Sequence, residues 1–133
     1  MELAAKQTVL IIDDDQAEVM ITKRVLSKIA PELVIDTAFS GEAALALLRS
    51  GRPLPALVLL DLKMPGLSGI DVLHQMRANE LLKHLTVIIV TNSTLESDRQ
   101  ESLSTGADYY LHKAFDIKRF NSDIEAVLQR FLS

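Results

Sequence analysis

The 133-residue chain contains no cysteine, which excludes disulfides, thiolate metal sites and thiol nucleophiles and fits a reducing compartment. It has no excess of positive charge. At a net charge of −4 it lacks the basic patch that a generic nucleic-acid or membrane-surface binder needs. It has no apolar run of membrane-spanning length, and its first residues, MELAAKQT, lack the apolar core of a signal peptide. Internal repeats and low-complexity tracts are also missing. Apolar residues make up 48% and charged residues 24%, so the default reading is one cytoplasmic globular domain with a proper core.

The rest of the chain is organised around residues 56–69, ALVLLDLKMPGLSG. The apolar run 56–60 does not alternate, as expected of a strand buried on both faces. It ends in Asp61, a charge that a core excludes, so Asp61 is expected to emerge at the strand's end. Pro65-Gly66 suits the central positions of a turn, and Ser68 suits a helix N-cap.

The strand-then-helix pattern occurs five times. Residues 9–12 form a β-branched run closing in Asp13-Asp14-Asp15; a helix over about 16–29 follows, with Ala17, Met20, Ile21, Val25 and Ile29 as its expected apolar face. Pro31 stops it. Residues 33–38 are a more polar strand, expected at a sheet edge. Ser40 caps a helix through Leu48, and residues 51–55 form a loop. After the central strand a helix runs over about 69–78, and Leu81, Leu82 and Leu85 are expected to pack the next connection. Residues 87–90 form the fourth strand, ending in Thr91-Asn92-Ser93. The helix after it, 96–105, is poor in apolar residues, with Leu103 its main anchor, and is expected to shift most easily. Gly106 ends it. Residues 109–111 form the fifth strand, and Ile117, Phe120, Ile124, Val127, Leu128 and Phe131 line a strongly amphipathic last helix.

Strands alternating with helices make a parallel sheet covered on both faces. Right-handed crossovers bring all strand C-termini to one edge. Asp13, Asp14, Asp61, Thr91 and Lys113 therefore meet at one rim, where such sheets bind ligands. Three close carboxylates repel unless a counter-charge is present. A divalent cation relieves this, and all-oxygen ligation suits Mg2+ or Mn2+ better than zinc. A carboxylate beside a metal can attack phosphorus to give an acyl phosphate. That transfer needs charge neutralisation and in-line positioning, with Lys113 pairing with phosphoryl oxygens and Thr91 donating to them. Asp15 is assigned to capping. His74, His84 and His112 are scattered without metal spacing and read as surface residues.

By position these residues resemble a response-regulator receiver domain of two-component signalling. Asp13-Asp14 resemble its acidic pair and Asp61 its phosphoacceptor, followed by Met64-Pro65-Gly66 and Gly69. Thr91 resembles the switch hydroxyl, Tyr110 the switch aromatic, and Lys113 the lysine before Phe115. The resemblance covers essentially all 133 residues as a single receiver domain without an output domain. It implies a flavodoxin-like, doubly wound α/β fold: a five-stranded parallel sheet of order 2-1-3-4-5 with five helices.

The resemblance also implies a phosphoprotein that catalyses only its own phosphorylation and dephosphorylation. Asp61 would take a phosphoryl group from a histidine kinase or a small phosphodonor. Asp13, Asp14, Asp61 and the backbone carbonyl of Lys63 would ligate Mg2+. Thr91 and Tyr110 would switch the face made by helix 4, strand 5 and helix 5. The output would be either relay to a phosphotransfer histidine or docking to a downstream protein. The same face is a candidate homodimer contact.

Three departures stand out. Ala114 replaces the usual proline, leaving the Lys113–Ala114 bond open between cis and trans. Asn92 replaces a small residue and narrows access to the phosphoryl group. Lys63 and Ser93 sit where the family tunes acyl-phosphate hydrolysis. Two alternatives stay open. The Asp13-Asp14-Asp15 run also resembles the opening of haloacid-dehalogenase-type phosphatases, which leaves residues 61–65 unexplained. A receiver-fold module that docks without phosphorylation is the other.

Overall fold

The apolar runs of the sequence become the strands of one sheet. The computed structural model describes residues 7–113 and 116–132, which form five strands and five helices in strict alternation. These are β1 (Thr8–Ile12), α1 (Gln16–Ile29), β2 (Val34–Ala38), α2 (Gly41–Leu48), β3 (Leu57–Leu60), α3 (Gly69–Ala78), β4 (Val87–Thr91), α4 (Glu96–Thr105), β5 (Tyr109–His112) and α5 (Ile117–Phe131). All pairings are parallel and the order is β2-β1-β3-β4-β5, the expected doubly wound arrangement.

The lack of alternation in the inner strands follows from burial on both faces. Leu10, Ile12, Val58, Leu60, Val87 and Ile89 point into one core with α2 and α3. Val9, Ile11, Leu57, Leu59, Ile88 and Val90 point into a second core with α1 and α5. The more polar β2 lies at an edge, as its composition suggests.

The helices start and stop where local chemistry directs. Ser40 Oγ accepts from Ala43 N–H. Ser68 and Asp71 form a reciprocal capping box at the start of α3. Gly66 takes φ +74° in the turn after β3, and Gly106 ends α4 at φ +116°.

The structure corrects four packing expectations. α1 does not bury Ala17, Met20 and Ile21: Met20 and Ile21 are 63% and 48% exposed, while Val19, Thr22, Val25 and Leu26 face the sheet. Val19, Met20 and Ile21 are consecutive apolar residues, so periodicity alone cannot select the stripe, and the polar Thr22 is buried beside Val19, Val25 and Leu26. Leu82 packs the α3–β4 connection, but Leu81 is 79% exposed. α4 is weakly anchored as expected, but Leu103 is exposed; among its described residues only Ser102 is buried, its hydroxyl donating to the Asp98 carbonyl. Ile117, at the start of α5, is also exposed.

Candidate functional site

Sheet hydrogen bonding runs past the strand ends into the residues of interest. Asp13 N–H donates to Ala38 O, Asp61 N–H to Ile12 O and Lys113 N–H to Thr91 O. Each side chain thus leaves a backbone already fixed by its neighbouring strand. Asp15 caps α1, accepting from Ala17 and Glu18 N–H, as assigned.

One carboxylate oxygen from each of Asp13, Asp14 and Asp61 lies within 4.8 Å of the others. Asp13 and Asp61 are buried and Asp14 is exposed. Asp61 emerges at the strand's end but is shielded, at 8% exposure. Burial pushes its carboxyl up to about 7; Lys113 works against this, while Asp13 and Glu18 add to it. Burial also raises Asp13, opposed by hydrogen bonds from Lys113 and from Asp15 N–H. The rim is short of positive charge. Clustered oxygen donors with that deficit fit a hard divalent cation.

Lys113 sits among the acids. Its ammonium is 2.9 Å from Asp13 Oδ2, 2.5 Å from Glu18 Oε2 and 3.9 Å from Asp61 Oδ1. Burial disfavours its charge, but hydrogen bonds to Asp13 and Glu18 outweigh this and raise its pKa. The Lys113–Ala114 peptide and Phe115 lie outside the described residues. Thr91 is buried, its Oγ accepting from Ser93 N–H. Tyr110 is half-buried against the first core, its hydroxyl 3.5 Å from Ser93 O.

The structure links Lys63 and Ser93 through a residue the sequence did not single out. Asp98 of α4 accepts from Ser93 Oγ at 2.5 Å and pairs with Lys63 Nζ at 3.2 Å. Those two contacts, led by the serine hydroxyl, hold its carboxyl below the usual range. Glu18 was missed as well. Burial works against its charge, but hydrogen bonds from Lys113 and Asn92 outweigh that and pull its pKa down. A signal existed in the Asp15-x-x-Glu18 spacing of a capping box. It points to local use, whereas Asp15 N–H is taken by Asp13 and Glu18 turns to Lys113. Asn92 donates to Glu18 at 2.8 Å, and its carbonyl lies 3.2 Å from His112 Nε2. His74 and His84 are exposed.

A doubly wound sheet that gathers three carboxylates, a buried threonine and a lysine at its C-terminal rim defines an α/β domain with an acidic, metal-competent pocket. The chain belongs to the response regulator receiver domain family, which it matches over residues 9–125. It is 30% identical over 128 residues to the probable methanogenesis regulatory protein FilR2 of Methanothrix harundinacea, covering 93% of this chain and 83% of that one. It is 32% identical over 108 residues to the response regulator PleD of Caulobacter vibrioides, but that match covers 81% of this chain and only 23% of PleD. Among solved structures, the Mn(2+)-bound form of response regulator Rcp1 superposes with a TM-score of 0.86 at 26% identity, covering 96% of this chain and 95% of that one. Response regulator RPA3017 in red light signaling of R. palustris gives 0.82 at 30% identity, covering 96% and 94%. The chain is therefore a receiver domain of the two-component type, and these relatives are regulators. Among the described residues no helix is long and apolar enough to cross a membrane.

Proposed function

We propose that the chain is a phosphoacceptor that takes a phosphoryl group from a cytoplasmic histidine kinase onto Asp61. The observation that carries this reading is the approach of Asp13, Asp14 and Asp61 within 4.8 Å, with Lys113 beside them. An Asp61 carboxylate oxygen attacks the phosphorus of a phosphohistidine. The P–N bond breaks, its electron pair stays on the imidazole nitrogen, and a P–O bond forms on Asp61. In hydrolysis a water oxygen attacks phosphorus, the aspartyl P–O bond breaks, and carboxylate and inorganic phosphate are released.

Lys113 neutralises a phosphoryl oxygen after a short movement from its 3.9 Å separation. The Thr91 hydroxyl donates to another. Asp13, Asp14, Asp61 and the Lys63 carbonyl would hold Mg2+, or Mn2+, the ion bound in the Rcp1 structure. When bound, that ion supplies the positive charge that clustered carboxylates and phosphate lack. The loose seating of α4 and the contact of Tyr110 with the Ser93 carbonyl support a switch carried by Thr91 and Tyr110 to the α4–β5–α5 face. That face would then bind a partner protein or accompany relay to a phosphotransfer histidine. Because solved neighbours include bacteriophytochrome and red-light response regulators, a phytochrome-type kinase is the first donor to test.

Intact mass after incubation with magnesium and acetyl phosphate tests the reading. One phosphoryl adduct that requires magnesium and disappears in Asp61→Asn supports it. An adduct that persists in Asp61→Asn and maps to Asp13 favours the phosphatase-like alternative. No adduct leaves docking alone.

A further inference from the structure

Lys113 does not rest on Asp61. Two of its three ammonium donors are used on Glu18 and Asp13, at 2.5 and 2.9 Å, while Asp61 lies at 3.9 Å. Glu18 is itself fixed: Asn92 Nδ2 donates to its other carboxylate oxygen at 2.8 Å. The Asn92 backbone is in turn tied to β5 through His112 Nε2, at 3.2 Å. Three elements thus hold one carboxylate against the lysine: the first turn of α1, the segment after β4 and the end of β5. Nor does α1 need Glu18 as a cap, since Asp15 covers Ala17 and Glu18 N–H while Asp13 takes Asp15 N–H. The Lys113 side chain is 10% exposed and that of Glu18 28%, so water screens the pair only in part.

We infer that Glu18, oriented by Asn92, is a positioning residue that competes with the phosphoryl group for Lys113 and so weakens the hold of Asp61 on a phosphoryl group. The inference rests on the proposed phosphorylation of Asp61. To reach a phosphoryl oxygen on Asp61, the ammonium must loosen its contact with Glu18. Whatever that ion pair contributes to the resting state is subtracted from the phosphorylated one. Removing the carboxylate therefore strengthens phosphoryl capture while weakening the resting protein, and these two effects have opposite signs. An ordinary structural ion pair would move both in the same direction when lost.

The test compares wild type, Glu18→Gln and Glu18→Asp. Beryllofluoride, a phosphoryl mimic, is titrated calorimetrically with magnesium present, and melting is followed separately in chelator. Glu18→Gln is expected to bind beryllofluoride about threefold to fivefold tighter, the scale of one partly screened ion pair, and to melt lower. Glu18→Asp keeps the charge but withdraws it by one methylene, and is expected to bind more tightly than wild type as well. Unchanged or weaker binding in Glu18→Gln overturns the inference. Tighter binding in Glu18→Gln with wild-type binding in Glu18→Asp also overturns it, because charge alone would then be responsible. If wild type takes neither beryllofluoride nor a phosphoryl group, the phosphoacceptor reading fails first and the inference falls with it.

Discussion

Gly69 lies so close to Asp61 that a β-carbon added to it would stand 2.2 Å from the Asp61 carbonyl oxygen and 2.8 Å from Leu62 Cα. Its own N–H donates to Leu62 O. The start of α3 is thus pressed against the backbone that carries the proposed phosphoacceptor. Both clashing atoms are main chain and cannot swing aside.

Gly69→Ala sets two effects against each other. Alanine in a helix is worth up to about 1 kcal/mol over glycine, whereas forcing an atom into packed backbone costs about 1–3 kcal/mol. The clash is expected to win. Urea unfolding should show a net loss of stability, and adduct formation on Asp61 should slow because its backbone has shifted. A stabilised variant would show that α3 can move away freely.

Asp61 gives the metal-free protein a pH signature. Its folded pKa of about 7 lies above the ordinary 3.8, so the folded state keeps a proton that the unfolded chain releases. The resulting stabilisation is full below 3.8 and is lost as pH rises through 7. In chelator, Asp61→Asn should therefore melt several degrees above wild type at about pH 8, and the gap should close towards about pH 4. Magnesium at about pH 8 should raise wild type more than the variant, because it binds the folded carboxylates. A gap independent of pH would mean that Asp61 ionises without penalty.

The bridge from Lys63 through Asp98 to Ser93 joins the segment after β3 to the start of α4. Asp98→Ala should speed amide exchange over residues 93–98 and along α4. Overall stability should fall by about 1 kcal/mol, since Lys63 is exposed while the Asp98 carboxylate is only partly screened. Unchanged exchange in α4 would show that the bridge restrains nothing.

Arg77 holds three backbone carbonyls, those of Gly106, Lys83 and Leu85, and pairs with Asp108. Asp108 in turn accepts from Val87 N–H at the start of β4. Arg77→Met should cost about 2–4 kcal/mol in urea unfolding, because several acceptors lose a charged donor together. Arg77→Lys should recover only part, since one ammonium cannot replace a planar fork. A loss below about 0.5 kcal/mol would mean that water serves these carbonyls equally well.

The sheet was legible because burial on both faces leaves a distinct trace: apolar runs without alternation, each ending in a polar or charged residue. Asp13, Asp61 and Thr91 were legible for the same reason, since topology alone brings strand ends together. The face of α1 was not, because Val19, Met20 and Ile21 satisfy more than one helical stripe and Thr22 does not look apolar. The roles of Glu18 and Asp98 were hidden for another reason. Both are acids in the first turn of a helix, where a solvated role is the ordinary one. Glu18 meets Lys113 across 95 positions of chain, a pairing that no local pattern encodes.

The single buried residue of α4 is a serine, and the apolar Leu103 within it and Leu95 just before it are exposed. Displacing such a helix uncovers little hydrocarbon, and uncovered hydrocarbon is the main source of a heat-capacity change. The proposed switch between two seats of α4 would therefore have a nearly linear van't Hoff plot, without the curvature that apolar burial imposes on unfolding of the whole domain. Cooling would not fade the Ser93–Asp98 hydrogen bond and Lys63–Asp98 pair that hold the described seat, because neither depends on apolar burial.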